Sequence, residues 1–223
     1  MRHLVTGAGS GIGAAIADLL QHRGDELVLL ARSQRRAADL QERYPGADCL
    51  VADLNHPEQC AGLAIPDRLD SVIHAAGVVD LGPIASAQLD VVQEQVQVNL
   101  VSPVLLTQAR LPALRAARGT VVFINSTAGL TANPGWGAYA ASKFGLRAVA
   151  DTLRAEEQLN GVRVTTVFPG RTATPMQEQV HAMEGRTYDS SAWMQPETVA
   201  ARVIDAIDLP PDAVMAEVVL RPT

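Results

Sequence analysis

The chain has 223 residues, of which 48% are hydrophobic, 19% charged and 4% aromatic, with a formal net charge of −6. That length holds one domain with a proper core, and so apolar a composition excludes a disordered chain. The acidic balance excludes a surface built to grip nucleic acid or an anionic membrane, and no uncharged apolar stretch approaches the ~20 residues that cross a bilayer.

Met1-Arg2-His3 leads straight into an apolar run with no signal-peptide pattern. Leu4 to Thr6 predicts a short buried strand; a glycine turn follows, and Ile12, Ile16, Leu19 and Leu20 mark an amphipathic helix. Leu27 to Leu30 reads as the second strand and Arg35 to Tyr44 as a polar helix ended by Pro45-Gly46. Cys49 to Val51 and Ser71 to Ile73 are further strands, with a helical stretch from Pro57 to Leu63 between them. A long helix is expected from Leu89 to Arg115, kinked or shaped at its end by Pro103 and Pro112. Val121 to Ile124 is the fifth strand, Ala138 to Leu159 a second long helix, and Val162 to Phe168 a sixth strand stopped by Pro169-Gly170. A helix from Pro196 to Ile207 and a strand from Val214 to Leu220 complete the series.

Continuous Val, Ile and Leu runs separated by helices imply strands buried on both faces. The expectation is an α/β fold with a doubly wound parallel sheet of about seven strands, of Rossmann type, as one domain over residues 1–223. Arg171 to Gln195 breaks the rhythm and is expected to be an irregular lid over a substrate site. Cys49 and Cys60 form no CxxC pair and the five histidines are scattered, so a cytoplasmic, reducing setting and no metal site are expected. Of the 18 basic residues, every one but Lys143 is arginine. A codon preference explains the ratio and leaves open why the lysine falls where it does.

Thr6-Gly7-Ala8-Gly9-Ser10-Gly11-Ile12-Gly13 joins the first strand to the first helix. Glycines there allow close backbone approach, and the helix N-terminus offers free N–H groups to a diphosphate. Taken alone, the pattern serves tight packing equally well; its place between a buried strand and an amphipathic helix favours a nucleotide. About 20 residues on, where an acidic residue would read the ribose of NAD, the sequence has Ala31-Arg32-Ser33. Arg32 suits the 2′-phosphate of NADP(H), with NAD(H) a weaker option; its ordinary alternative is a solvated strand end.

Tyr139 and Lys143 are spaced i, i+4 on the second long helix, so phenol and ammonium share a face. A neighbouring cation favours phenolate and is expected to lower the phenol pKa. Ser126 falls just past the fifth strand, where a hydroxyl can donate to a carbonyl oxygen gaining charge. With Asp53, Asn99 and Pro169-Gly170 followed by Thr174, these residues resemble the classical short-chain dehydrogenase/reductase family along essentially the whole chain.

The resemblance implies an oxidoreductase interconverting a carbonyl compound and a secondary alcohol. Tyr139 would be the acid/base, Lys143 would lower its pKa and bind the nicotinamide ribose, and Ser126 would hold the substrate oxygen. Asn99 would anchor a water-borne proton relay and Asp53 would meet the adenine. Gly7, Ser10, Gly11, Ile12, Gly13, Arg32, Leu54, Ala76 and Gly77 would surround the coenzyme, with Pro169, Gly170, Thr172 and Thr174 seating the nicotinamide. It also implies a homodimer or homotetramer acting on a small molecule, with no nucleic acid or membrane partner.

Each residue has an ordinary alternative taken singly. Asn99 is then a polar helix residue, Asp53 a turn former, Ser126 an N-cap and Thr174 a surface residue. The whole chain's alternatives are a catalytically idle dinucleotide-binding sensor or scaffold, and an epimerase or dehydratase using the same tyrosine, against which the chain's length weighs. His74-Ala75-Ala76-Gly77 departs from the family's usual Asn-Asn-Ala-Gly, and His74 is expected to be a buried, hydrogen-bonded strand residue. Ser10 stands where many NADP(H)-preferring relatives carry a basic residue. Arg171 is expected to be solvated, and Trp136, Met176, Met183, Tyr188, Trp193 and Met194 to line the cleft mouth.

Overall fold

The computed structural model describes residues 1–64 and 66–223. Seven parallel strands form one sheet in the order β3-β2-β1-β4-β5-β6-β7. They are β1 (Arg2–Thr6), β2 (Glu26–Ala31), β3 (Asp48–Val51), β4 (Ser71–His74), β5 (Thr120–Ile124), β6 (Arg163–Pro169) and β7 (Glu217–Leu220). Among the described residues seven α-helices lie between them: α1 (Gly11–His22), α2 (Gln34–Arg43), α3 (Leu89–Val96), α4 (Ser102–Ala117), α5 (Gly137–Glu157), α6 (Pro175–Met183) and α7 (Pro196–Ile207). No helix among the described residues is long and apolar enough to cross a membrane.

Alternation along the strands sends neighbours to opposite faces. Val5 is in register with Leu29 and Ile73, and this row packs with Ile16 and Leu20 of α1 and Val199 and Val203 of α7. Leu4, Val28 and Val72 face the other way and pack with Leu106 and Leu114 of α4 and Leu146 of α5. Both faces are therefore covered, as continuous apolar strands require. The chain winds outward from β1 to β3 and then returns beyond β1 to β4, leaving a crevice at the carboxyl ends of those two strands.

Four expected elements differ. The long helix from Leu89 is interrupted by a π turn at Gln97–Val101 and then runs to Ala117. Pro112 is carried inside α4, whereas Pro103 lies in its first turn. The helical stretch after Pro57 shrinks to a 3₁₀ turn, Pro57–Cys60. The last strand begins at Glu217 because its ladder begins there, with the Thr166 amide donating to the Ala216 carbonyl. Residues 171–195 are more regular than expected. Thr174 caps α6 by accepting the Gln177 amide, Pro175 occupies its first turn, and a bridge joins Thr172 to Met194.

Candidate functional site

At the crevice, the Thr6 hydroxyl oxygen accepts the amides of Ala75 (3.1 Å) and Ala76 (3.0 Å), tying the end of β1 to the segment leaving β4. Gly7 follows at φ +74°, and a Cβ there would lie 2.7 Å from the Ala76 nitrogen. Gly13 is buried in α1, where a Cβ would collide with the Gly7 carbonyl oxygen, so it serves helix–strand packing and stands back from the cavity. Tyr44 underpins the turn from behind: its buried hydroxyl is 3.3 Å from the carbonyls of Ala8 and Ala14. Ser10 is the N-cap of α1, and its side chain caps nothing. With Gly11 and Ile12 it lines a cavity of about 590 Å³ that also contains Gly7, Ala76 and Gly77.

The other wall of that cavity comes from β5 and α5. Beyond β5 the buried Asn125 accepts the Ser126 amide (2.8 Å) and donates to the Lys143 carbonyl (3.0 Å), clamping the serine turn onto α5. Ser126 accepts the Ala128 amide at 3.1 Å as the N-cap of a 3₁₀ turn, and its own proton remains available to donate. Tyr139 and Lys143, one turn apart on α5, both line the cavity and are both buried. Ser142 between them donates to the Tyr139 carbonyl (2.8 Å) and accepts from Asn99 Nδ2 (3.1 Å).

Burial dominates the electrostatics. It pushes the Tyr139 phenol up to about 12, with the neighbouring Ser126 hydroxyl pulling partly the other way, and brings Lys143 down to about 8. The expected lowering of the phenol is therefore not what the protein alone produces. Lys143 Nζ donates to the Ile124 carbonyl at 3.1 Å and lies 5.7 Å from the phenol ring centroid, so loss of hydration outweighs the cation. His74 is likewise buried and driven down to about 3, neutral, with Nε2 2.8 Å from Thr107 Oγ1 and its ring stacked on Phe123.

Asn99 sits in the π turn, outside the cavity lining. Its amide holds both backbone groups of Val78 at 2.9 Å, and so fixes the chain after Gly77. Pro103, four residues on, has no N–H to give the Asn99 carbonyl, which is why the helix widens at this point.

Pro169, Gly170, Thr172 and Thr174 all line the cavity. A Cβ on Gly11 would lie 3.0 Å from the Thr174 methyl, so the start of α6 lies over the glycine turn. Arg32, Asp53 and Leu54 are outside the lining. Arg32 is exposed between the end of β2 and Ser33, the N-cap of α2, and forms no ion pair among the described residues. Asp53 accepts the Asn55 amide (2.9 Å), as a turn former does, and Leu54 is buried with its carbonyl taking the Ser102 hydroxyl.

Arg171 corrects the expectation of a solvated side chain. Its Nη2 lies 2.6 and 2.9 Å from the Glu184 carboxylate and its guanidinium 5.4 Å from the Trp193 ring centroid. Of the six side chains expected at the cleft mouth, Trp136 and Met176 line the cavity. Tyr188 and Trp193 pack instead on the buried His181, with ring centroids 5.2 and 5.3 Å away, Met194 packs on the main core, and Met183 is exposed. The sequence reading missed Thr6, Tyr44, Asn125 and Ser142 as supports of the site. Their partners are mostly distant backbone groups that no local spacing announces.

Comparison with known proteins places the chain in a family. A sepiapterin reductase of Chlorobaculum tepidum is 34% identical, over 100% of this chain and 97% of that one. A glycine betaine reductase ATRR of Emericella nidulans is also 34% identical, over 98% of this chain, which spans only 18% of that much longer protein. A protein of Escherichia coli CFT073 solved in complex with NADPH is 30% identical, with a TM-score of 0.87 over 98% of this chain and 95% of that one. The short chain dehydrogenase model matches residues 2–185, from the first strand through the glycine turn and the Tyr139/Lys143 helix to the end of α6. The chain belongs to the short-chain dehydrogenase family.

Proposed function

We propose that the protein is an NADP(H)-dependent oxidoreductase that interconverts a carbonyl compound and a secondary alcohol, with Tyr139 as acid and base. The observation that carries this reading is that Ser126, Tyr139 and Lys143 share one cavity with the open N-terminus of α1. The residues present fit a dinucleotide. Nothing lies within 4 Å of a Cβ built at Gly9, the first turn of α1 holds no acidic side chain, and its cap leaves amides free for a diphosphate. Gly7, Gly11 and Ile12 would shape the phosphate cradle with Gly13 packing behind it, Asp53 and Leu54 would meet the adenine side, and Gly77, Pro169, Gly170 and Thr172 would bound the nicotinamide.

When bound, the reduced nicotinamide supplies the hydride that a carbonyl carbon accepts. The phenol of Tyr139 gives its proton to the substrate oxygen, or takes it from an alcohol in the reverse direction. The Ser126 hydroxyl donates a hydrogen bond to that oxygen as negative charge builds on it. A phenol held near 12 by burial is a reluctant acid and is scarcely ionised, so the ammonium of Lys143 must turn part of its field onto it and onto the ribose hydroxyls. The Asn99 carbonyl, without its usual α-helical partner, is available to a water leading from Lys143.

Arg32, exposed and unpaired after β2, supports NADP(H) over NAD(H), in line with the NADPH-bound relative. Residues 171–195 serve as the substrate lid. Exposed Leu89 and Phe144 on α3 and α5 support a homodimer or homotetramer; a monomeric mass by light scattering contradicts that part.

The test of the function is NADPH consumption across chemically diverse aldehydes and ketones, with NADP+ reduction by the matching alcohols. Turnover of at least one class is expected. Tight NADPH binding with no turnover in either direction across the panel overturns the proposal.

A further inference from the structure

The chain carries a net charge of −6, yet the cavity is lined by three cations, Lys143, Arg171 and Arg186, and a single carboxylate, Glu184. Lys143 is engaged with the Ile124 carbonyl beside the phenol. The remaining three charges gather at the far end of α6. Arg171 Nη2 is held by Glu184, whereas its Nη1 is buried with no hydrogen-bond partner among the described residues. Arg186 stands at the rim, 3.8 Å from Glu184 and 68% exposed. One carboxylate thus sits between two guanidiniums, and a buried charged donor is left without the acceptor that such groups require.

This corner lies away from the coenzyme phosphates that the glycine turn would hold. Thr174, at the start of α6, touches Gly11, and Glu184 follows the helix's last residue. Ten residues of helical rise separate them by about 15 Å.

We infer that Arg171 and Arg186 form a subsite for a carboxylate on the substrate, so that the protein acts on oxo acids or hydroxy acids in preference to neutral ketones and alcohols. This inference rests on the oxidoreductase reading and names its substrate class. The carboxylate accepts from the exposed Arg186 guanidinium, and from Arg171 Nη1 once the side chains covering that nitrogen give way. That leaves the carbonyl of the same molecule to extend toward Ser126 and Tyr139 in the shared cavity. Glu184 holds the Arg171 fork in place and neutralises only one of the two guanidiniums, so the corner keeps a net positive charge that a carboxylate offsets and a neutral ester does not.

The test uses the NADPH-bound protein and matched pairs: phenylglyoxylate with its ethyl ester, and levulinate with its ethyl ester. The acid is expected to exceed its ester in kcat/KM by about tenfold or more, the worth of a charge-assisted hydrogen bond. Arg186→Gln and Arg171→Gln are each expected to bring that ratio down several-fold. Because Arg171→Gln also opens the contact with Glu184, the exposed Arg186 carries the test on its own. Equal or better turnover of the esters overturns the inference, as does an acid-to-ester ratio untouched by Arg186→Gln. Weakened NADPH binding in Arg171→Gln with an unchanged ratio also overturns it, and assigns the donor to a coenzyme phosphate.

Calorimetric binding of each acid and ester to the NADP+ complex separates the two readings. Acid binding lost in Arg186→Gln, with no turnover of any pair, contradicts the oxidoreductase and leaves the anion subsite standing. Equal binding of acid and ester contradicts the subsite.

Discussion

At the glycine turn the protein offers its cavity backbone, and at the β5–α5 wall it offers buried side chains. The first end is made by leaving atoms out: Gly7 lets the backbone of β1 run against Ala76, and Gly13 lets α1 run against Gly7. Helix amides need no ionisation and bury no charge. The second end is made by putting groups where water would otherwise be. Tyr139 and Lys143 are both buried and both shifted against their charged forms, and Asn125, Ser142 and Asn99 are spent holding them in register. In the proposed enzyme, then, binding is built into local backbone, whereas chemistry is built at a cost in stability from residues far apart in sequence.

Variants at the two ends should therefore fail in different ways. Ser126→Ala should lower kcat by about 10²–10³-fold, the loss expected when one donor to a developing oxyanion goes, with the melting temperature little changed. Steady-state kinetics beside thermal unfolding checks this.

Lys143→Met should abolish turnover and yet stabilise the coenzyme-free protein by up to about 3 kcal/mol below pH 8. The sign follows from proton binding. With its pKa brought down to about 8 from the ordinary 10.5, native Lys143 binds fewer protons than the unfolded chain between those values. Wild-type stability therefore rises with pH across that window, and the variant's advantage shrinks over the same range. Denaturant unfolding at pH 7 and pH 10 measures it.

Gly13→Ala inverts the pattern. It should cost about 1–3 kcal/mol of stability by overpacking and weaken NADPH binding through the displaced turn. An alanine variant with wild-type stability and affinity would erase the contrast between the two ends. Arg32→Gln is the mildest: NADPH affinity should fall about tenfold while NADH affinity stays level, as fluorescence titration would show.

Legibility in the sequence divides along the same line. The strands and the glycine turn were readable because burial on both faces leaves uninterrupted runs such as Val121 to Ile124, and because the turn's requirements are local. Tyr139 and Lys143 were readable because their spacing is one helical turn. Asn125 and Ser142 were not, since a lone polar residue beside a strand or within a helix says nothing of the distant group it will meet.

Pro103 announced a disturbance without locating it. The widened turn falls four residues earlier, at Asn99, where the missing amide is felt. The helix α6 did leave a signal in Thr174-Pro175 and in the spacing of Met176, Val180 and Met183, overshadowed by Gly185 and the irregular residues after it. With that helix unseen, Glu184 had no place in the fold, and Arg171 looked solvated.

The central claim is that the Tyr139 phenol moves the proton when a carbonyl is reduced in this cavity. The direct test gives wild-type protein and Tyr139→Phe NADPH deuterated at the nicotinamide C4, with a carbonyl substrate from the screen, and follows the alcohol by mass spectrometry. Wild-type protein should yield alcohol with deuterium on the carbinol carbon. The variant should bind NADPH within about threefold of wild type and form labelled alcohol at least about 10²-fold more slowly. Labelled alcohol formed by Tyr139→Phe at the wild-type rate would contradict the account.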